Sequence, residues 1–165
     1  MGKVVNILGG LGVGVCLSQF PEYSQQYVQR LGGAVEELNV VVADFDNSAI
    51  QTNQTRAQAL SAMTGTEFLD RRQSDMTRTI KRQEDLAQSY ATLKDASAFE
   101  RLGYIQKFAD PKINQGAWAD FQPAIPLSLE SFLLLFGGYC AGYGGTSAIG
   151  RMLRQLRDAK KRKIA

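Results

Sequence analysis

The stretch SFLLLFGGYCAGYGGTSAIG, residues 131–150, decides the fold: it is 20 residues long and carries no charge. As a helix rising about 1.5 Å per residue it would span roughly 30 Å, the thickness of a bilayer's hydrocarbon core. A core helix of a soluble protein usually shows a polar stripe, and this stretch shows none. A second charge-free stretch, VVNILGGLGVGVCLSQF, covers the 17 residues 4–20. It is shorter, about 25 Å as a helix, and carries Asn6 and Ser18-Gln19 near its ends. Two membrane passes are preferred over a soluble helical bundle, in which both stretches would be buried core helices. The mean hydropathy of −0.20 hides this, because the polarity is so unevenly distributed.

The flanks set an orientation. After Gly150 come Arg151, Arg154, Arg157, Lys160, Lys161, Arg162 and Lys163, opposed only by Asp158, and Lys3 precedes the first stretch. Residues 21–130 hold 11 Lys+Arg against 15 Asp+Glu, a net charge of −4. Positively charged flanks stay in the cytoplasm, so both termini are expected inside and the middle on the far side. The seven tail cations suit anionic lipid head groups, at about 1 kcal/mol each near the surface. Nucleic acid is the rival partner for the run KKRK, but it lacks interleaved aromatics or a recognisable module, so none is expected. The first stretch has the charged start and apolar run of a signal peptide, yet no small-x-small site precedes Pro21. Val13-Gly-Val-Cys16 has the outline of a lipoprotein box, with Val15 where a small residue belongs. An uncleaved anchor is expected.

Eleven of the 16 glycines lie in residues 1–20 and 131–150. Glycine weakens a helix in water, whereas in a bilayer small residues let helix backbones approach and gain contact. Gly10, Gly14 and Ser18 make one ladder at four-residue spacing. The second stretch carries two adjacent ladders, Gly137, Ala141, Gly145 and Gly138, Gly142, Thr146, Gly150, read together as one broad smooth face. Tight helix–helix contact is predicted, within the chain or with partner chains. Glycine merely tolerated in membrane helices is the plainer alternative. Tyr139 and Tyr143 share a side, where packing is favoured over contact with a cofactor. Cys16 and Cys140 would sit about 10 Å apart in depth on antiparallel helices, too far for a disulfide. Two free, buried thiols are expected.

The middle reads as helical. Pro21 suits a first helical turn, and Val28, Leu31, Val35, Leu38, Val42 and Phe45 follow a 3-4 spacing, a coiled-coil-like seam of nearly three heptads. Gly32-Gly33 interrupts it as a weak point or a close-contact site. Residues 47–55 form the turn. Thr64-Gly-Thr-Glu67 is a candidate capping box opening a helix to about Lys94, and Ser97-Ala-Phe-Glu100 a second, opening a short helix through Phe108. Asp110-Pro111 ends that helix or caps another turn. Trp118, ahead of Pro123 and Pro126, is placed as an interfacial aromatic anchor. No strand alternation competes.

Catalytic signatures are missing. With no His in the chain, His-dependent triads, His metal sites and imidazole switches drop out. Asp44-Phe-Asp46-Asn-Ser48 begins like a calcium loop, but Ala49 and Thr55 stand where Gly and Glu belong. There is no phosphate loop, dinucleotide fingerprint, nucleophile elbow or CxxC. Glu36-Glu37, Glu84-Asp85 and Arg71-Arg72 read as solvated helix faces. Glu130 is the carboxylate nearest the second stretch. An ionisable group at that depth would invite a functional reading, but a first-turn carboxylate that offsets the helix dipole is favoured.

The block SQFPEYSQQYVQRLGGAVEEL at residues 18–38, with Val41-Val-Ala-Asp-Phe-Asp46 and Trp118…Phe121-Gln-Pro-Ala-Ile-Pro-Leu127, resembles an uncharacterised proteobacterial membrane family, a domain of unknown function. The likeness covers most of the chain except the basic tail. It implies a bacterial inner-membrane protein with a periplasmic middle, and it brings no catalytic residues with it.

The expected fold is all-α: two transmembrane helices flanking an extramembrane antiparallel helical hairpin. The segments are an N-terminal transmembrane helix (1–20) and a periplasmic hairpin with a short return helix (21–122). A C-terminal transmembrane helix with its approach segment (123–150) and a basic cytoplasmic tail (151–165) follow. The expected role is non-enzymatic, with no cofactor or metal. It is a structural or assembly component that associates with itself or a larger membrane complex through its small-residue faces and periplasmic arm. The alternative is an accessory subunit of a respiratory or photosynthetic complex. A conduit is weaker, since only Asn6 and Glu130 offer polar lining, and an enzyme is weakest.

Overall fold

The computed structural model describes residues 2–123 and 128–162, with side chains described as far as Leu156. The described residues are mostly helical, with no strand among them. In order they form α1 (Gly2–Ser18), α2 (Phe20–Gln51), α3 (Arg56–Ala62), α4 (Glu67–Leu93) and α5 (Ala98–Gly103). A 3-10 turn (Ile105–Lys107), α6 (Pro111–Asp120) and α7 (Leu129–Arg162) complete the chain. Two compact units result, one from residues 1–25 and 121–165, the other from residues 26–120.

In the first unit α1 pairs with α7, and no other two helices approach as closely along their length. Gln19 alone separates α1 from α2, and Gly2–Gln51 is long and apolar enough to cross a membrane. Only 22% of its most apolar stretch is buried, whereas a soluble core helix would hide most of it. One helix meets that standard among the described residues, not the two expected. Residues 131–150 fall short because glycine, serine, threonine and tyrosine dilute their leucine and phenylalanine. Ser128 starts α7 by accepting from the Ser131 N–H at 3.1 Å, and Glu130 occupies the first turn. The helix is 34 residues long, about 50 Å. The tail expected as a separate segment from residue 151 is therefore helical through Arg162.

The second unit is built on the apolar seam of α2. Leu31 is fully buried and Val28, Val35 and Val42 nearly so, while Leu38 and Phe45 are half-buried. The core is completed by Ile80, Leu86 and Leu93 of α4, with Phe108, Ile113 and Ala117. Gly32 faces Tyr90, whose ring would be 2.9 Å from an added Cβ, and Asn39 accepts from Gln83 at 2.7 Å. Each step forward along α2 is matched by a step back along α4, so the two run antiparallel. Gly32 is thus a close-contact site, whereas Gly33 faces open space.

Hydrogen bonds at the helix ends fix the boundaries. Ser97 and Glu100 form the expected reciprocal capping box, although α5 ends at Gly103 and a 3-10 turn carries the chain toward Phe108. The cap of α4 is Thr66, not Thr64: its hydroxyl accepts from the Leu69 N–H at 3.2 Å, and Glu67 pairs with Arg71 instead. The turn expected over residues 47–55 is shorter, because α2 stays helical to Gln51, and its last residue, Thr55, makes with Gln58 a further capping box that opens α3. Asp110 caps α6 by accepting from the Ile113 N–H at 2.9 Å, with Pro111 in the first turn.

Candidate functional site

The α1–α7 contact brings glycine backbone against glycine backbone. A Cβ on Gly138 would stand 2.8 Å from the Gly14 Cα and 3.0 Å from the Val13 carbonyl oxygen. On Gly14 it would meet the Leu135 carbonyl oxygen at 2.6 Å, and on Gly10 the Tyr139 ring at 2.8 Å. Gly9 seats the Thr146 methyl, 2.6 Å from a would-be Cβ. Gly10, Gly14, Ser18, Gly138 and Gly142 are buried here. Ser18 turns its hydroxyl to the Val15 carbonyl at 2.8 Å, so its polarity is satisfied within α1. Tyr139 and Tyr143 lie with ring centroids 6.1 Å apart.

The two ladders of α7 do not form one face against α1. Gly137, Ala141 and Gly145 are exposed, and nothing stands within 4 Å of a Cβ added to Gly137 or Gly145. One residue of offset turns a helical position by about 100°, so a single partner helix covers only the Gly138–Gly142–Thr146 line. The expectation of buried thiols is corrected for a related reason. Cys16 and Cys140 are free but exposed. Each lies two residues from a packed glycine, about 200° round its helix, and so faces away from the pair.

Asn6 donates its side-chain amide to the Ser147 hydroxyl at 2.5 Å, crossing from α1 to α7. Sequence reasoning noted Asn6 as polar but found no partner. The only signal was a serine one residue past the Thr146 rung. Beside the bond lies an open cleft of about 740 Å³, reached by Gly2, Lys3 and Val4 of α1 and by Tyr143, Gly144, Gly150, Arg151 and Arg154 of α7. Arg151 and Arg154, two of the seven expected head-group residues, are exposed at its rim. Arg157, Lys160, Lys161 and Arg162 continue the helix, but their side chains lie outside the described residues, as does Lys163 altogether.

In the 26–120 unit two carboxylates are committed to arginines. Arg82 grips Asp110 with two bonds, 2.5 and 3.2 Å long. Burial pushes the Asp110 carboxyl up, but the bonds from Arg82 and from the Ile113 and Lys112 backbone, with the Arg82 charge, outweigh it and hold the carboxyl below its ordinary value. Arg56 chelates Asp46 at 2.7 and 2.5 Å, and that hydrogen bonding holds the Asp46 carboxyl low despite desolvation. Asp46 of the calcium-loop-like run is thereby committed to Arg56. No grouping of three or more Cys, Asp or Glu side chains that could hold a metal occurs among the described residues. Trp118 stands on α6 in this unit, 63% exposed.

Among its described residues the molecule is thus an all-helical protein with one helix long and apolar enough to cross a membrane. It belongs to DUF2937, a family described as a protein of unknown function, whose model matches residues 1–158. No curated protein and no solved structure matches the chain.

Proposed function

We propose that this is a two-pass inner-membrane protein with a structural or assembly role, α7 supplying the second pass. Both termini would be cytoplasmic and residues 21–122 periplasmic. The observation that carries this is the outward ladder of Gly137, Ala141 and Gly145, left open after α1 has taken the other. Close backbone approach is what such a ladder permits, and on α7 it is still available to a helix of a second copy or of a larger complex. The apolar exterior supports the membrane setting. Val4, Leu8 and Val15 of α1 and Phe132, Phe136 and Ile149 of α7 are each more than half exposed. Side chains of that kind meet lipid or a partner helix, not water. The 26–120 unit, with its antiparallel α2 and α4, would be the contact arm outside the bilayer.

The test is purification of a tagged full-length chain from membranes in mild detergent, with mass spectrometry of what accompanies it. A defined oligomer or a stoichiometric partner, lost on Gly145→Leu, is expected. Recovery in the soluble fraction, or a monomer with no partner, would overturn the reading. Stoichiometric oxidoreductase or light-harvesting subunits would supply the partner and make the role that of an accessory subunit.

A further inference from the structure

The cleft at the Gly2 end of the α1–α7 pair has a charge pattern that packing does not explain. Lys3 comes to it from α1, and Arg151 and Arg154 from α7. Arg154 reaches toward the first turn of α1, its Nη2 being 3.1 Å from where a Gly2 Cβ would stand. Among the described residues no carboxylate lines the cleft, and none of the three cations enters an ion pair. Three like charges lining one concavity focus a positive field there and raise the local concentration of anions.

The shape of the cleft fits the same ligand. Gly144 and Gly150 line it with nothing within 4 Å of an added Cβ, so the space above them is open. The hydrogen-bonded Asn6 and Ser147 and the Tyr143 side chain add polar lining. Val4, 61% exposed, begins an apolar strip that Leu8 continues along α1. Cations beside an apolar strip match the two parts of an anionic amphiphile.

We propose that this cleft binds a phosphoryl group between Lys3, Arg151 and Arg154, carried by a phospholipid head group or present as a free phosphate. Guanidinium forks recognise phosphate oxygens in pairs, and the open cleft admits the group without rearrangement of either helix. The lipid source rests on the membrane reading above, whereas the phosphoryl site does not.

The test uses the full chain in mild detergent, probed separately with phosphatidylglycerol, phosphatidylcholine and inorganic phosphate, with bound ligand read by native mass spectrometry. Arg151→Gln with Arg154→Gln should lower phosphoryl-ligand retention at least tenfold. Lys160→Gln with Lys161→Gln, an equal loss of charge farther along the helix, should change it less than twofold. Gly144→Leu, which fills the cleft and keeps every cation, should weaken binding as the arginine pair does. Retention of phosphatidylglycerol over phosphatidylcholine identifies a lipid source, and saturable binding of inorganic phosphate alone a soluble one. Either supports the site. It is overturned if the tail pair costs as much as the arginine pair, if Gly144→Leu binds normally, or if neither anionic probe binds. Sedimentation of the same variants with membranes separates failure of the site from failure of the membrane reading.

Discussion

Gly142 lies directly on the backbone of Gly9: a Cβ added to it would stand 2.5 Å from the Gly9 carbonyl oxygen and 3.0 Å from the Gly10 Cα. Neither atom belongs to a flexible side chain that can swing aside. The contact is therefore closed to every other residue type unless the helices move apart.

Gly142→Leu and Gly138→Leu are accordingly expected to separate α1 from α7 without preventing insertion, since leucine favours the bilayer interior. A thiol crosslink between Asn6→Cys and Ser147→Cys, in a background with both native cysteines changed to serine, reports the pairing. It should fall sharply in both variants. Gly145→Leu should keep it and alter complex size instead. Equal crosslinking in all three would show that the pair does not depend on close approach.

Leu31 is the most sensitive point of the α2 seam, being fully buried, whereas Leu38 is half-buried. Leu31→Ala should cost the 26–120 unit about 2–4 kcal/mol, from lost transfer energy and the cavity left behind. Leu38→Ala should cost roughly half as much. Urea unfolding of the full chain followed by circular dichroism measures both. The seam is misassigned if the order reverses.

The Arg82–Asp110 pair should make stability depend on acid. Asp110 titrates below its ordinary value in the folded state. Its contribution is complete above the unfolded carboxyl value, about 3.9, and is lost as pH falls through the lower folded value. Asp110→Asn should therefore be less stable than the parent by about 1–2 kcal/mol at pH 7. The gap should narrow below about pH 4, where the parent carboxyl protonates too. A gap that stays constant from pH 7 to 3 would remove the ion pair as its cause. The more exposed Asp46–Arg56 pair should show the same sign with a smaller size, because solvent screens it.

Orientation is tested by reporters. A periplasm-active enzyme fused after Ala165 should be silent, and one inserted near Asn53, in the turn that closes α2, should be active. The opposite pattern would reject the charge-asymmetry argument.

The helical middle was legible because its signals are local. The seam of α2 repeats at helical spacing, and Ser97 meets Glu100 three residues on, so burial and cap both follow from short-range pattern. The Thr55–Gln58 box obeys the same three-residue rule but begins on the last residue of the polar run 47–55, whose composition alone reads as turn. Thr64 and Thr66 are chemically equivalent caps. Gly65, at a φ of +99°, is the tight turn that places Thr66 at the start of α4. Tertiary facing was not legible. Nothing in the order of Gly137 and Gly138 says which of them meets α1, and the outward turn of Cys16 and Cys140 follows from that same choice. The cleft was invisible for the same reason, since Lys3 and Arg154 meet only once α1 and α7 pair antiparallel.

The single-residue offset between the ladders of α7 also bears on how this helix tolerates insertions and deletions. With Ser131 held at Glu22, one extra residue between positions 132 and 136 would rotate the rest of α7 by about 100°. Gly137, Ala141 and Gly145 would then occupy the places of Gly138, Gly142 and Thr146. Losing one residue there would instead drive Tyr139 and Tyr143 into the closest approach. An alanine inserted after Leu134 would put the Ala141 methyl against the Gly9 carbonyl oxygen, so it should lower the thermal stability of the pair, though less than deletion of Leu134, which puts the Tyr143 ring there. The helix is thus held to its length from both sides, a gained residue costing it one methyl at the closest approach and a lost one a whole aromatic ring.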